Sequence, residues 1–140
     1  MNFLGIDYGA KKIGLAKSSG QLALPFDTLI NQNDSQVLAD LKKIIETQEI
    51  EKIVVGVPLS LSGNQGEPEI RSVDFANQQM QSVLNFIELL KNNFDLPIIL
   101  EDERLSTKMA QRLQRDLTKK NGDDAVAAML ILQNYLDRKH

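Results

Sequence analysis

Acidic residues occur at three places where the sequence pattern predicts that a strand ends or a helix begins. Asp7 follows the apolar run Phe3–Ile6, and the acids Glu101–Glu103 follow a second apolar run, Pro97–Leu100. Asp124 lies at the start of the last amphipathic segment. A carboxylate that leaves water needs a cation or several hydrogen-bond donors to offset its desolvation. Acids that met at one edge of a sheet would therefore indicate a site for divalent cations.

Helical periodicity indicates which way Asp124 faces. At about 100° per residue, it shares a stripe of about 40° with Ala128, Ile131 and Tyr135, and this apolar stripe should face a sheet. The neighbouring Asp123 points elsewhere and suits the positive end of the helix dipole. Asp124 can also be an ordinary first-turn capping residue.

Strand periodicity separates the three acids near residue 102. If the strand stays extended, Glu101 and Glu103 lie on one side and Asp102 on the other. The cluster can instead form a solvated strand end in which Arg104 pairs with a neighbour. Asp7 has an alternative as well, as an acceptor of backbone N–H bonds in the turn that follows it. Spacing alone leaves these alternatives open.

The available donor types restrict the metal that converging acids could hold. The chain has no cysteine, and its one histidine is the final residue, His140, which suits a chain end better than a catalytic base. Oxygen ligands alone favour Mg²⁺ or Mn²⁺ over zinc. Such sites serve phosphoryl transfer, in which two ions about 3.5–4 Å apart activate a water and stabilise the leaving oxygen of a phosphodiester.

The segments between these acids predict a mixed sheet with helices on its faces, an α/β arrangement in a single domain over residues 1–140. Short connections predict that the first three strands are antiparallel, and Pro25 marks the third as an edge strand. Asp34 or Ser35 is the predicted cap of the first helix, and Pro58–Glu69 is a predicted polar loop. The predicted order is three strands, a helix, a strand, a helix, a strand and two helices: residues 3–7, 13–18, 22–30, 34–48, 52–57, 68–90, 97–100, 107–117 and 123–136.

Composition and charge narrow the class of protein. The 140 residues are 42% hydrophobic and 25% charged, which is typical of a globular domain in water. No apolar run approaches about 18 residues and no signal-peptide pattern begins the chain, so a cytoplasmic location without membrane contact is expected. The net charge of -3 counts against binding nucleic acid by bulk electrostatics. A phosphate partner would have to be held by metal ions or by the local basic residues Lys11, Lys12, Lys17, Arg112, Arg115, Lys119 and Lys120.

Four motifs in order resemble those of the YqgF family. They are Gly5–Gly9 with Ile13–Ala16, Val55–Leu59 with Gly63 and Gly66, Asp102–Thr107, and Asp124–Ala128 with Ile131–Leu136. The resemblance covers nearly the whole chain and implies the RNase H-like fold. It also implies a nuclease that resembles Holliday junction resolvases or processes pre-16S rRNA. By the same resemblance, Asp7, Glu103 and Asp124 bind the metal and carry catalysis.

Two positions depart from the relatives. In RNase H-like resolvases of the RuvC type an acid ends the fourth strand, whereas this chain has Gly56-Val57-Pro58 there. The acid after the fifth strand would have to replace it. The connection before Asp124 carries only Lys119-Lys120, where relatives often have a richer basic loop.

The leading hypothesis is a metal-dependent endonuclease that hydrolyses structured RNA, such as the immature 5′ end of small-subunit rRNA. The residues predicted to contact nucleic acid are Lys11, Lys12, Arg104, Ser60 and Asn64. Association with a ribosomal particle and a monomeric or weakly dimeric state are expected. The same chemistry on branched DNA is the nearest alternative.

Two further alternatives belong to other classes. A nucleic-acid-binding or ribosome-assembly factor without catalysis is favoured by the acidic balance and by the missing fourth-strand acid. An actin-like ATPase or sugar kinase shares a phosphate-binding strand like Gly5–Gly9. The chain length disfavours that class, because such enzymes need two lobes around a cleft.

Overall fold

The computed structural model of the chain describes residues 1–57, 70–102 and 123–139. The loop predicted over residues 58–69 and the helix predicted over 107–117 lie outside these ranges. The described elements, in chain order, are β1 (Phe3–Tyr8), β2 (Lys12–Ser18), β3 (Ala23–Ile30), α1 (Asp34–Thr47), β4 (Lys52–Val57), α2 (Ile70–Asn93), β5 (Ile98–Asp102) and α3 (Asp123–Lys139).

The five strands form one mixed sheet in the order β3-β2-β1-β4-β5. Strands β1, β2 and β3 are antiparallel neighbours because short turns join them, while β4 and β5 run parallel to β1. The predicted mixed five-stranded sheet, antiparallel and then parallel, is confirmed. Because β1, β4 and β5 are parallel, their C-terminal ends meet at one edge of the sheet.

Most element boundaries fall within a few residues of the prediction. The strand β5 continues through Glu101 and Asp102, so these two acids belong to the strand rather than to the loop after it. The predicted cap of α1 is wrong: Asn33 is the N-cap, and its side chain accepts a hydrogen bond from the Gln36 backbone N–H. In the described ranges no helix is long and apolar enough to cross a membrane.

Each face of the sheet has its own apolar core. Side chains such as Leu4, Ile6 and Leu15 pack with α1 and α2 on one face. Phe3, Ala16 and others pack on the opposite face against α3. Strands covered on both faces read as nearly continuous apolar runs, which is the pattern seen in β1 and β4.

The helix α3 lies unusually close to the sheet because two strand positions have no side chain. A Cβ atom built on Gly5 would stand 2.8 Å from the Leu132 Cβ and 3.0 Å from the Ala128 carbonyl oxygen. A Cβ atom on Gly14 would stand 1.8 Å from the Asp124 carbonyl oxygen. Any larger residue at Gly14 would collide with helix backbone, so glycine there fixes where α3 begins.

Candidate active site

Asp7 lies near the C-terminal end of β1, on the face of the sheet that α3 covers. Its directly opposed residue in β2 is Gly14. Opposed residues of antiparallel strands carry their side chains on the same face. Because the Cβ direction of Gly14 leads to the first turn of α3, the side chain of Asp7 also leaves the sheet on this side. The residue is half-buried.

Asp124 lies in the first turn of α3 and is also half-buried. The other members of its predicted stripe, Ala128, Ile131 and Tyr135, are buried in the core beneath α3, as the helical phase predicted. The backbone of Asp124 packs against Gly14. Gly14 is directly opposite Asp7, and the Cα atoms of such opposed residues lie about 4.5–5.5 Å apart. The structure therefore places the backbone of Asp124 against the strand position opposite Asp7.

Glu101 occupies the same level of the sheet two strands away. Ile6 pairs with Val55, so Asp7 lies level with Gly56, and Gly56 pairs with Glu101. The residues Gly14, Asp7, Gly56 and Glu101 thus form one row across four strands on the α3 face, called here the site row. With strands about 4.8 Å apart, the backbones of Asp7 and Glu101 are separated by about 10 Å. The residue between them in the row is Gly56, which has no side chain.

The carboxylate of Glu101 is paired. Arg138, near the end of α3, donates a hydrogen bond of 2.5 Å from Nη2 to the Glu101 Oε1. The Glu101 side chain is only 8% exposed, while that of Arg138 is 64% exposed and extends over the Tyr135 ring. The alternative of a solvated strand end is therefore wrong for Glu101. Its charge is offset inside the fold by the last helix.

The turn between β1 and β2 presents two lysines beside Asp7. A Cβ atom on Gly9 would stand 2.5 Å from the Lys12 carbonyl oxygen, so the turn is too tight for a side chain there. Asn31, after the end of β3, stabilises this turn with two hydrogen bonds. The Asn31 Nδ2 donates to the Gly9 carbonyl at 2.7 Å, and the Asn31 backbone N–H donates to the Lys11 carbonyl at 2.8 Å. Lys11 and Lys12 are exposed, where phosphate groups can reach them.

The remaining predicted site residues lie outside the described ranges. They are Glu103, Arg104, Ser60 and Asn64. Within the described residues no three of the His, Cys, Asp and Glu side chains are grouped so that they could hold a metal ion. The metal-binding roles of Asp7, Glu103 and Asp124 stay predictions.

The side chains of Asp7 and Asp124 are chemically suited to a hard divalent cation. Asp7 and Asp124 supply carboxylate oxygens, the ligands that Mg²⁺ and Mn²⁺ prefer. The neighbouring row position Gly56 carries no side chain. Two acids held close together repel each other unless a cation or a proton neutralises them, so this donor set fits a divalent ion.

Two contributions to this region were missed by sequence reasoning. Asn31 follows β3 in the chain and has no motif around it, although an Asn beside a strand end is a common turn residue. Arg138 lies 37 residues from its partner Glu101. The only sequence signal for that pair is a basic residue in the last turn of a helix, which the helix dipole already explains.

The fold is that of the RNase H-like resolvases. The structure matches "Thermus thermophilus RuvC structure" with a TM-score of 0.54, 12% sequence identity and coverage of 99% of this chain and 97% of that chain. It matches "T. thermophilus RuvC in complex with Holliday junction substrate" with a TM-score of 0.57 and 11% identity, covering 99% and 96%. The Fowlpox virus Holliday junction resolvase matches with a TM-score of 0.56 and 13% identity over 99% of both chains.

The chain belongs to the RuvX family, the YqgF family of the sequence motifs. The family model, described as "RuvX: Holliday junction resolvase", matches residues 1–138. A protein of Rickettsia africae named "Putative pre-16S rRNA nuclease" is 37% identical over 96% of this chain and 84% of its own length. A Rickettsia felis protein of the same name has the same identity and coverage. The family and fold expected from the motifs are confirmed.

Proposed function

We propose that this chain is a metal-dependent endonuclease that hydrolyses phosphodiester bonds in structured RNA, with the immature 5′ end of 16S rRNA as its substrate. The whole chain acts as one nuclease domain. The observation that carries the proposal is that the first turn of α3, which contains Asp124, packs against Gly14, the residue opposite Asp7 near the end of β1. Membership of the RuvX family and the names of the Rickettsia relatives support the same chemistry.

In this proposal Asp7 and Asp124 hold Mg²⁺ or Mn²⁺ through carboxylate oxygens, and Glu103 completes the set by family resemblance. A bound divalent ion supplies charge neutralisation and a water acidified for attack on phosphorus. The protein's own contribution is to fix the two acids. Gly14 sets the start of α3 against β2, and the hairpin sets the end of β1.

Lys11 and Lys12 attract the substrate in this proposal. They are exposed on a turn that Gly9 and Asn31 make rigid, so two positive charges stand at a fixed place beside the acids. An acidic protein binds nucleic acid only where positive charge is concentrated, because phosphate contacts supply most of the affinity. The lysines orient the strand. The oxygen of water forms a bond to phosphorus while the bond between phosphorus and the leaving ribose oxygen breaks, and the proton lost by water balances the one that this oxygen gains as it leaves as a hydroxyl group.

The test is cleavage of an end-labelled precursor fragment that contains the immature 5′ end. Wild type should cut with Mg²⁺ or Mn²⁺ and stop with a chelator. Asp7→Asn, Asp124→Asn and Glu103→Gln should each slow cleavage at least about a hundredfold, because a metal site supplies several kcal/mol of charge stabilisation. Asp95→Asn is the matched control, since it removes an exposed carboxylate in the connection before β5.

Circular dichroism and thermal unfolding should show that every variant keeps its fold. If Asp7→Asn cleaves as fast as wild type, the proposal fails. If binding survives while wild type never cuts with either metal, the chain is a binding factor without catalysis.

Branched DNA is the second candidate substrate, because the matching family model is described as a Holliday junction resolvase. A four-way junction and the rRNA precursor should be compared in one reaction with equal substrate concentrations. Preferential cleavage of the junction would assign the same acids to DNA. Preferential cleavage of the precursor would assign them to RNA.

A further inference from the structure

A cavity of about 270 Å³ lies at the end of β2 that is remote from Lys12. The cavity is lined by Lys17, by its cross-strand partner Leu24 and by Gln48 at the end of α1. Lys17 faces α1, because it alternates with Ala16, which faces α3. The cavity is therefore on the opposite face from the site row, and five residues along β2 separate Lys17 from Lys12 by about 17 Å.

Among the described residues, the ammonium group of Lys17 has no acidic partner. It is half-buried, and its contacts in the described part of the chain are a hydrogen bond of 3.1 Å to the Gln48 Oε1 and the ring of Phe26, whose centroid is 5.0 Å away. Two of its three N–H groups have no acceptor among these contacts. An ammonium group that is partly shielded from water and has N–H groups left to donate suits an anionic ligand.

Other donors converge on the same cavity. Ser19 and Gln48 also line the cavity, and among the described residues neither the Ser19 hydroxyl nor the Gln48 side-chain amide donates a hydrogen bond. None of the described residues that line the cavity is an Asp or a Glu. Glu51, which accepts from the Asn2 backbone N–H at 3.0 Å, is not among the described residues of the lining.

A structural role for Lys17 is the competing explanation, because a cation is favoured at the C-terminal end of a helix. The end of α1 already has its donors. The Asn2 Nδ2 donates to the carbonyls of Gln48 and Glu49 at 3.2 Å each. The carbonyls of Ile44 and Ile45 accept backbone N–H groups at 2.8 and 3.0 Å. The helix end is satisfied without the ammonium, and the capping Asn2 holds Gln48 in place beside the cavity.

The cavity is also apolar on one side, which narrows the ligand. Leu22 and Leu24 line it and are 66% and 50% exposed. The cavity has hydrogen-bond donors on one side and apolar surface on the other. This combination suits a ligand in which a phosphate is attached to a flat, weakly polar group such as a nucleotide base. The volume is at the small end of ligand pockets, which favours one nucleotide over a longer segment.

We propose that this cavity binds a nucleoside monophosphate, with its phosphate on Lys17, Gln48 and Ser19 and its base against Leu22 and Leu24. The nucleotide is either free or the phosphorylated end of a strand. The site does not depend on the proposed nuclease activity, because it shares no residue with Asp7 and Asp124 and lies on the other face of the sheet.

The experiment is a titration of the full ¹⁵N-labelled chain, followed by its amide signals. The probes are AMP, inorganic phosphate, adenosine, and a short oligonucleotide with or without a 5′ phosphate. AMP should shift the signals of Ser18, Ser19 and Gln48 and bind more tightly than phosphate or adenosine alone. Lys17→Gln should weaken AMP binding about tenfold or more, because it removes a charge-assisted hydrogen bond.

Three further variants separate binding from stability. Lys17→Arg should keep most of the affinity, and Gln48→Met should lose several-fold without a change of charge. Lys43→Gln, at an exposed position of α1, should bind AMP like wild type. Tighter binding of the 5′-phosphorylated oligonucleotide than of AMP would identify a strand end as the ligand, and the reverse would identify a free nucleotide. The proposal is overturned if no saturable shift occurs up to about 10 mM AMP. It is equally overturned if Lys17→Gln and Gln48→Met both bind like wild type.

Discussion

Replacing Gly14 with alanine tests the contact on which the candidate site is built. The added Cβ atom would stand 1.8 Å from the Asp124 carbonyl oxygen and 3.0 Å from the Ala125 nitrogen. Carbon and oxygen atoms in close contact stay about 3.3–3.6 Å apart, so α3 and β2 must separate by roughly 1.5 Å. Both obstructing atoms belong to helix backbone, and no side-chain rotation can relieve the collision.

The cost follows from comparison with Gly5. The Cβ atom of an alanine at position 5 would lie 2.8 Å from the Leu132 Cβ. Because non-bonded carbon atoms prefer a separation of about 3.5–4.0 Å, α3 and β1 must move apart by less than about 1.2 Å. Overpacking a core costs about 1–3 kcal/mol and occasionally more. We expect about 1–2 kcal/mol for Gly5→Ala and about 3 kcal/mol or more for Gly14→Ala. Loss of glycine entropy in the unfolded chain offsets about 0.4–1 kcal/mol of each.

Urea unfolding measures both variants on one scale. With a slope of about 2 kcal/mol/M, the midpoint should fall by about 1.5 M for Gly14→Ala and by about half that for Gly5→Ala. Cleavage of the rRNA precursor, measured well below the midpoint, should fall about a hundredfold for Gly14→Ala, because a displacement of about 1 Å can cost that much. The larger effect on activity is expected at Gly14, which lies beside both acids.

Two results would refute this reasoning. A Gly14→Ala protein that unfolds at the same urea concentration as wild type would mean that α3 does not begin against β2. A Gly14→Ala protein that is destabilised as expected and still cleaves at the wild-type rate would remove Asp124 from the site. Gly5→Ala controls for a general loosening of α3.

Three other predictions concern the surroundings of the site. Asn31→Ala should cost about 1 kcal/mol of unfolding free energy and weaken RNA binding several-fold; an unchanged affinity in filter binding would contradict a role for the turn. Lys11→Ala and Lys12→Ala should each reduce the slope of log affinity against log salt by about 0.7–0.9, and an unchanged slope would show that no phosphate is contacted there. Arg138→Leu should cost about 1–3 kcal/mol in urea unfolding because it removes the cation that donates to the buried carboxylate of Glu101. Glu101→Gln should cost less, and the reverse order would contradict the pairing.

The sheet and the phase of α3 could be predicted because local pattern determines them. β1 and β4 are covered on both faces, so their apolar runs are unmistakable. Asp124 has a fixed angular relation to Ala128 and Tyr135 whatever the tertiary structure is. That relation predicted an inward-facing acid, and the stripe is buried as expected.

The burial and pairing of Glu101 could not be predicted, because its partner Arg138 is distant in the sequence and comes close only in the folded chain. Strand alternation put Glu101 and Glu103 on one side and gave no reason to treat them differently. The last turn of α3 reaches across the sheet and pairs Arg138 with Glu101. The cap of α1 was missed for a local reason, since Asn33, Asp34 and Ser35 are all good caps and pattern does not choose among neighbours.

The helix α3 is fastened to the site row at both of its ends. Its first turn rests on Gly14 through the Asp124 backbone, and its last turn holds Glu101 through Arg138. The row therefore contains two carboxylates with different surroundings: Asp7 lies at the open edge near a second acid, while Glu101 is buried and paired with a cation. Because a buried acid with its own counter-ion has little to gain from a metal, the pairing favours acids other than Glu101 as ligands. The helix α3 thus positions Asp124 with its first turn. With its last turn it pairs Glu101, the acid that would otherwise compete with Asp124 as a metal ligand.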